Sequence, residues 1–338
     1  MEDPSTRLLV KVAQLYHLQG LNQDQIGHQV GVSRSKVSRM LKEARERGVV
    51  EVSIHYPARF ALDLEHRLES ELGLREAVVV NTGGVPGGLG LSSIAAAASD
   101  YLLRVLKPGD VLGVSGGETL SVIAELMPAN AVDGVTVVQL GTAVADLGDR
   151  AAFSSAEVAL HVAHKLGSMT RLVLIPVPFL LDSETIRDAL LRDTGVRRAM
   201  ARLASCTVAV VGIGGLERQP GRRQVLPVTE EDLTELRNVG AVGEICTRFY
   251  DAHGYPCTTS LDRRIVAVEL GEFRSVPLVI GVAAGEQKAP AILAAVRGGY
   301  AKSLVTDDTT AKEVLALARH AGDTAGARVS DAGVSARS

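Results

Sequence analysis

Residues 21–48 constrain this chain most, because their pattern predicts two short helices joined by a tight turn. Asn22 and Gln25 have the spacing of a capping box, in which each side chain accepts a hydrogen bond from the other residue's backbone. Ile26 and Val30 then lie one helical turn apart on a single face. Gly31 interrupts the pattern, and glycine adopts the positive φ of a tight turn without steric cost. The first helix is therefore expected to end there.

Ser33 is a favourable N-cap for the second helix. The apolar residues of this helix recur at helical spacing, at Val37, Met40, Leu41 and Ala44. Gly27, in the first helix, is expected to lie where the two helices cross. Residues 33–48 contain six Lys or Arg residues and two Glu residues, so the stretch is locally basic. Two helices of this kind are typical of a helix-turn-helix.

The N-terminal part of the second helix is expected to enter the major groove of double-stranded DNA. The residues predicted to contact DNA have hydroxyl or basic side chains: Ser33, Arg34, Ser35, Lys36, Ser38, Arg39 and Lys42. The alternative is a solvated basic helix on an ordinary protein surface. Glycine placement, capping and charge together favour the DNA-binding interpretation.

The basic character is confined to the N-terminal segment. The whole chain has 338 residues and a net charge of −3, whereas residues 1–56 contain eight basic and six acidic side chains. The bulk of the chain is therefore not a general polyanion binder. Cys206, Cys246 and Cys257 lack metal-binding spacing and indicate reduced thiols, and no segment reads as a signal peptide or a membrane span. We expect a cytoplasmic protein without a metal or cofactor.

The length favours two domains. Residues 1–56 are expected to form a helical DNA-binding domain, with a first helix over 6–18 and a strand or wing over 49–56. Residues 57–75 form a linker with a helix whose apolar residues, Phe60, Leu64, Leu68 and Leu72, lie four apart. This stripe packs either on its own domain or against a second subunit. Residues 76–320 form an effector domain, and residues 321–338 are expected to be disordered.

The effector domain alternates strands with helices. Apolar runs predict strands over 77–81, 111–114, 135–141, 171–178, 207–215, 264–270, 277–285 and 302–307. Such runs indicate an α/β domain with a mainly parallel, Rossmann-like sheet covered on both faces. In such sheets, ligands bind beyond the carboxyl ends of the strands.

Four predicted strand ends carry loops that suit a small phosphorylated or polyhydroxylated ligand: 115–119, 139–142, 212–215 and 281–288. A single glycine-rich loop is more often a tight turn than a phosphate site, and 212–215 lacks the third glycine of a dinucleotide fingerprint. Taken alone, Lys288 is as easily solvated as functional. Glu244 taken alone is a carboxylate on a helix surface.

The helix-turn-helix followed by LGVSGGETL, VGIGG, GAVGEICTRFYD, VPLVIGVAAGEQKAPAILAAVRGG and LVTDDTTA resembles the SorC family of sugar-binding transcriptional regulators over residues 6–320. The resemblance implies an effector domain like the sugar-phosphate isomerase, deaminase and CoA-transferase fold. It also implies a sugar, polyol or sugar-phosphate effector, control of a carbohydrate-utilisation operon, and a homodimer or homotetramer on operator DNA.

By the same resemblance, the loop 115–119 would hold the phosphate with Lys288, and Gln139 and Glu244 would meet sugar hydroxyls. The complete expected set is Ser115, Gly116, Gly117, Glu118, Thr119, Gln139, Gly141, Thr142, Gly212, Gly214, Glu244, Asp251 and Lys288. Glu118 departs from the basic, small or hydroxyl residues common in the family. A carboxylate beside a phosphate is unfavourable, so either Glu118 faces outward or the ligand is a free sugar or polyol. We favour the phosphate.

Two alternatives to a transcriptional regulator fit parts of the sequence. A sugar-phosphate isomerase or deaminase with a DNA-binding domain would need a general base. Glu157, His161 and His164 could form a cluster on one helix, but no glycine loop adjoins them. A DNA-binding protein without an effector would leave residues 76–320 without a role. We therefore predict a regulator that is not an enzyme.

Overall fold

The computed structural model describes residues 4–50, 60–83, 88–141, 153–175, 177–216 and 228–320. The chain divides into two compact units, Met1–Pro57 and Ala58–Ser338. Most of the predicted strand or wing at 49–56, the expected effector contact Thr142 and the tail at 321–338 lie outside the described residues.

The first unit contains three helices, α1 (Pro4–His17), α2 (Gln23–Val30) and α3 (Arg34–Glu46). Their apolar faces meet in one core, to which Leu9, Val12, Ile26, Val37, Met40, Leu41 and Ala44 belong. The helix-turn-helix predicted from the sequence is confirmed.

The predicted local signals at the turn are also confirmed. Asn22 and Gln25 form both hydrogen bonds of the capping box, and Gly31 ends α2 with φ 72°. The Ser33 hydroxyl accepts a hydrogen bond from the backbone N–H of Lys36 and caps α3. Gly27 has a slightly different role from the one expected: a Cβ there would meet the turn carbonyl of Val32 rather than a side chain of the other helix.

Ten strands are present in the described part of the second unit: β1 (Glu76–Val80), β2 (Val111–Val114), β3 (Thr136–Gln139), β4 (Arg171–Val173), β5 (Val208–Gly212), β6 (Gly214–Gly215), β7 (Ala241–Ile245), β8 (Arg248–Asp251), β9 (Leu278–Val282) and β10 (Ser303–Asp307). Seven form a parallel sheet of order β1-β10-β9-β5-β2-β3-β4. The others form a small antiparallel sheet of order β6-β7-β8.

The described helices of this unit are α4 (Leu62–Leu72), α5 (Gly88–Val105), α6 (Glu118–Leu126), α7 (Ser155–Leu166), α8 (Glu184–Arg192), α9 (Thr194–Ala201), α10 (Glu230–Asn238), α11 (Leu270–Ser275), α12 (Ala289–Arg297) and α13 (308–320). Two apolar clusters lie on opposite faces of the large sheet. Val208 and Val210 belong to one, and Ala209 and Val211 to the other. Because central strands are buried on both faces, they are continuously apolar.

Helix α4 packs its apolar stripe on its own domain, as the first of the two alternatives expects. Leu68 is fully buried in the same core as Val79 of the edge strand β1. The carboxylates of Glu65 and Glu69 accept hydrogen bonds from the backbone N–H groups of Val79 (2.8 Å) and Ala77 (3.0 Å). Helix α4 therefore covers a sheet edge that could otherwise pair with another chain.

The strand predicted over 264–270 is wrong. Residues 265–268 are buried, but they make only isolated bridges, from Ile265 to Leu180 and from Ala267 to Gly141. An apolar run reports burial, and this segment is buried without belonging to a ladder. The strand predicted over 207–215 also divides, since Gly214 pairs with Glu244 of the small sheet.

Candidate functional site

A cavity of about 260 Å³ lies beyond the carboxyl ends of the adjacent strands β9, β5, β2 and β3. It is lined by Ser115, Gly116, Gly117, Glu118, Thr119, Leu120, Gly141, Phe153, Ser154, Ser155, Phe179, Gly212, Ile213, Gly214, Glu244, Cys246, Thr247, Val282 and Lys288. The four predicted loops therefore each contribute residues to one cavity, as expected for parallel strands whose ends share one edge.

The N-terminal ends of two helices, α6 and α7, meet at this cavity, and the residue before α12 also lines it. Glu118 is the first residue of α6, and its N-cap, Gly117, has no side chain to accept a hydrogen bond. Ser155 begins α7, and Lys288 is the N-cap of α12. A helix N-terminus carries unpaired N–H groups and a partial positive charge. The cavity is therefore suited to an anionic group.

The loop after β2 packs tightly on the start of α7. A Cβ at Gly116 would lie 2.8 Å from the backbone nitrogen of Ser155 and 2.9 Å from the carbonyl oxygen of Phe153. The backbone N–H of Gly117 donates to the same carbonyl at 2.8 Å. Only glycine at position 116 allows this approach, and it brings the starts of α6 and α7 together.

Gln139 does not line the cavity, contrary to the expectation that it would meet sugar hydroxyls. Its side chain is buried, donates to the Ser155 hydroxyl (2.9 Å) and accepts from the backbone N–H of Ile175 (2.9 Å). The Ser155 hydroxyl in turn donates to the Gly141 carbonyl at 2.8 Å. Gln139 thus supports a lining residue from behind.

Glu244 lies on strand β7 and not on a helix surface. Its carboxylate accepts a hydrogen bond of 2.8 Å from the backbone N–H of Thr247. Burial raises the pKa of Glu244, and this hydrogen bond and the Lys288 ammonium offset part of that rise. A carboxyl group of raised pKa beside a lysine can exchange hydrogen bonds with ligand hydroxyls in either protonation state.

The remaining expected residues differ in position. Glu118 is exposed at the edge of the cavity. Ser115 is buried, and its hydroxyl accepts from the backbone N–H of Gly212, so it links the ends of β2 and β5. Asp251 does not line the cavity, because its carboxylate caps a turn by accepting from the N–H groups of His253 and Tyr255.

Sequence reasoning missed several lining residues, notably Phe153, Ser154, Ser155, Phe179, Cys246 and Thr247. Cys246 and Thr247 are close in sequence to Glu244. Predicting a β-hairpin over residues 241–251 would have placed both residues in its turn, next to Glu244. The candidate catalytic cluster is not at the cavity: Glu157, His161 and His164 lie along α7, and both histidines are exposed.

The seven candidate DNA contacts all have exposed side chains on α3 or at its N-cap: Ser33, Arg34, Ser35, Lys36, Ser38, Arg39 and Lys42. Arg34 lies 3.8 Å from Asp24, and Lys42 lies 3.7 Å from Glu46. Exposed pairs at such distances contribute little and are readily exchanged for other partners. The buried face of α3 meanwhile fixes the helix on its domain.

A chain with a helix-turn-helix unit and an α/β unit that contains an anion-suited cavity belongs to the class of effector-responsive DNA-binding regulators. Comparison with known proteins agrees. Residues 56–316 match the family model for a sugar-binding domain, Sugar-bind. The chain belongs to the SorC family of sugar-binding transcriptional regulators.

Three similar proteins illustrate the relationship. The sorbitol operon regulator of Klebsiella pneumoniae is 32% identical, over 91% of this chain and 98% of its own length. The deoxyribonucleoside regulator of Bacillus subtilis is 31% identical, over 93% of this chain and 99% of its own length. The crystal structure of the full-length sorbitol operon regulator SorC from Klebsiella pneumoniae superposes with a TM-score of 0.70, covering 93% of this chain and all of that one.

These relatives are transcriptional regulators rather than enzymes, and this chain is likewise a sugar-responsive transcriptional regulator. Its larger unit is the part of the chain that matches the sugar-binding domain. Within the part of the chain that the structure describes, no helix is both long and apolar enough to cross a membrane.

Proposed function

We propose that this regulator binds a phosphorylated sugar or polyol in the cavity and that binding changes its affinity for an operator of a carbohydrate-utilisation operon. The observation that carries the proposal is the convergence of the N-termini of α6 and α7, Lys288 and Glu244 on one cavity. The helix ends and the ammonium suit a phosphate, and Glu244 suits the hydroxyls of the same ligand.

The exposure of Glu118 supports the phosphate over a free sugar. Its carboxylate lies at the cavity edge, where water screens it from an anion inside. As the first residue of α6, Glu118 is also stabilised by the helix dipole without any ligand. Its presence in the loop therefore does not require that a ligand hydroxyl pair with it.

On the DNA side, we propose that the N-terminal half of α3 reads the major groove, with Arg34, Lys36 and Arg39 as the principal contacts. A single helix-turn-helix reads one half-site, and operators of this class place two half-sites about one DNA turn apart. We therefore infer a homodimer or homotetramer, acting in the cytoplasm where its DNA is.

The effector proposal is tested by thermal unfolding of the full chain with sorbitol, sorbitol 6-phosphate, deoxyribose 5-phosphate, glucose 6-phosphate and inorganic phosphate. A specific ligand at about 100 times its Kd adds roughly 2.7 kcal/mol of stability. We expect stabilisation by one or more organic phosphates. Lys288→Ala should abolish it, whereas Lys107→Ala, a lysine in the turn before β2 and away from the cavity, should not.

Two results would contradict the proposal. Stabilisation by free sorbitol alone would assign Glu118 to ligand hydroxyls and remove the phosphate. A Lys288→Ala variant that still responds to the phosphorylated probe would place the phosphate elsewhere.

The DNA contacts are tested with a duplex selected from a random pool by the wild-type protein. Arg34→Ala or Lys36→Ala should weaken binding to that duplex by about 1–3 kcal/mol if the side chain contacts a base. Fluorescence anisotropy with and without the stabilising probe then measures both operator affinity and its control by the effector. Unchanged affinity in both variants would exclude this part of α3 from the interface.

A further inference from the structure

The β7–β8 hairpin closes through an unusual turn. Its two central residues, Cys246 and Thr247, both have positive φ values, 50° and 62°. Consecutive positive φ values define a type I′ turn, which favours Asn-Gly and related pairs. A β-branched residue such as threonine is strained in this conformation. The other described non-glycine residue with positive φ is Asn130 (56°), and asparagine tolerates it.

The strained turn is held from both sides. The Glu244 carboxylate accepts the Thr247 backbone N–H at 2.8 Å. Directly after the turn, the guanidinium of Arg248 donates to the carboxylates of Asp262 at 2.7 Å and Glu269 at 2.6 Å, with its side chain only 4% exposed. A strained backbone persists only where its surroundings determine it this firmly.

This held turn is part of the cavity wall. Cys246 and Thr247 both line the cavity beside Glu244, and Thr247 is buried. Glycine would satisfy the backbone of the turn with less strain, so the turn itself does not account for a threonine at this position. What a threonine adds is three heavy atoms at the wall next to the carboxylate.

We propose that Thr247 is a specificity-determining residue of the effector cavity, limiting the size of ligand that can reach Glu244 at the expense of fold stability. The inference rests on the proposed function, since it takes the cavity as the effector site. It adds that ligand size is selected at the hairpin turn, which lines the cavity together with the glycine-rich loop 115–119.

Two substitutions separate strain from bulk. Thr247→Gly removes the whole side chain and relieves the backbone. Thr247→Ala removes the hydroxyl and the methyl group but retains Cβ and a left-handed backbone. Asn130→Gly is the matched control, because it changes a residue of similar φ that does not line the cavity.

The experiment measures thermal unfolding of these full-length chains without ligand and in titrations with ribose 5-phosphate, glucose 6-phosphate, sorbitol 6-phosphate and sedoheptulose 7-phosphate. Without ligand, Thr247→Gly should raise the effector-domain Tm by roughly 2–4 °C, and Thr247→Ala should raise it less. For each chain, the Kd of the longest probe is divided by the Kd of the probe that binds best to the wild type. In both variants this ratio should fall by about tenfold or more, which is the effect expected for one methylene group in a pocket. Asn130→Gly should leave that ratio unchanged.

An unchanged ratio in both Thr247 variants would overturn the specificity role. A Thr247→Gly chain no more stable than wild type would overturn the claimed strain. If no probe stabilises any of the chains, the proposed function fails and the specificity role fails with it. If probes bind and Lys288→Ala abolishes binding while the ratio stays constant, only the role of Thr247 is lost, so the two failures are distinguishable.

Discussion

Gly27→Ala tests whether the turn of the helix-turn-helix is as closely packed as the structure shows. A Cβ at this position would lie 2.7 Å from the carbonyl oxygen of Val32 and 3.5 Å from the backbone nitrogen of Arg34. This oxygen is a backbone atom of the tight turn, and the turn is anchored next to it by the hydrogen bond from the Val32 N–H to the Gly27 carbonyl at 2.9 Å. The substitution must therefore move α3 relative to α2.

The expected magnitude follows from two opposing effects. Alanine in a helix interior gains about 1 kcal/mol over glycine, whereas overpacking costs about 1–3 kcal/mol. Since the contact is with fixed backbone, we take the upper part of that range and expect a net loss of about 1–2 kcal/mol. A loss of 1 kcal/mol in so small a unit lowers Tm by roughly 4–8 °C. DNA affinity should fall as well, because α3 carries the candidate contacts.

The assay is circular-dichroism melting of the N-terminal unit in the full chain, with anisotropy on the selected duplex. Gly31→Ala is the control: its φ is 72°, but nothing lies within 4 Å of an added Cβ. That variant should lose about 1 kcal/mol from backbone strain and retain more DNA affinity than Gly27→Ala. A Gly27→Ala chain as stable as wild type, with unchanged DNA binding, would refute the reasoning.

Two further predictions concern the effector domain. Leu68→Ala should destabilise this domain by about 2–5 kcal/mol, because Leu68 is fully buried between α4 and the sheet. Denaturant unfolding should give the same loss of stability at every protein concentration. A loss that varies with protein concentration would place α4 against a second subunit instead. Burial raises the pKa of Glu244, so its contribution to stability is fully present below the ordinary carboxyl pKa of about 4.3 and is lost as pH rises through the raised value. Glu244→Gln removes this pH dependence. The free energy of unfolding of the variant relative to that of the wild type, measured by chemical unfolding, should therefore increase from acid to neutral pH. A decrease would mean that the Lys288 ammonium lowers the pKa of Glu244 by more than burial raises it.

Much of the fold could be predicted because its signals are local. The capping box at Asn22, the left-handed Gly31 and the stripe on α3 depend on residues three or four apart, and the structure shows each of them. The parallel sheet was predictable because strands buried on both faces must be apolar throughout. The same rule gave the wrong result for the apolar segment 264–270, because a buried segment need not pair with neighbouring strands in a sheet.

The candidate site was predictable only as a set of loops. Parallel strands bring their carboxyl ends to one edge, so the convergence of the regions around Ser115, Gly212 and Lys288 followed from the fold class. The role of each side chain did not. Gln139 has a polar side chain at a strand end, as a ligand contact would, but it lies behind Ser155 because the start of α7 comes between it and the cavity.

The sequence by itself determined where α2 and α3 begin and end, that a parallel sheet forms, and that a basic helix belongs to the N-terminal unit, because each depends on neighbouring residues and their periodicity. The tertiary structure alone decided that α4 covers the sheet edge, that Gly116 meets Ser155, and that Arg248 holds a strained turn against Asp262 and Glu269. These contacts join distant parts of the chain. Their energies depend on separations of a few ångströms, which spacing along the sequence does not specify.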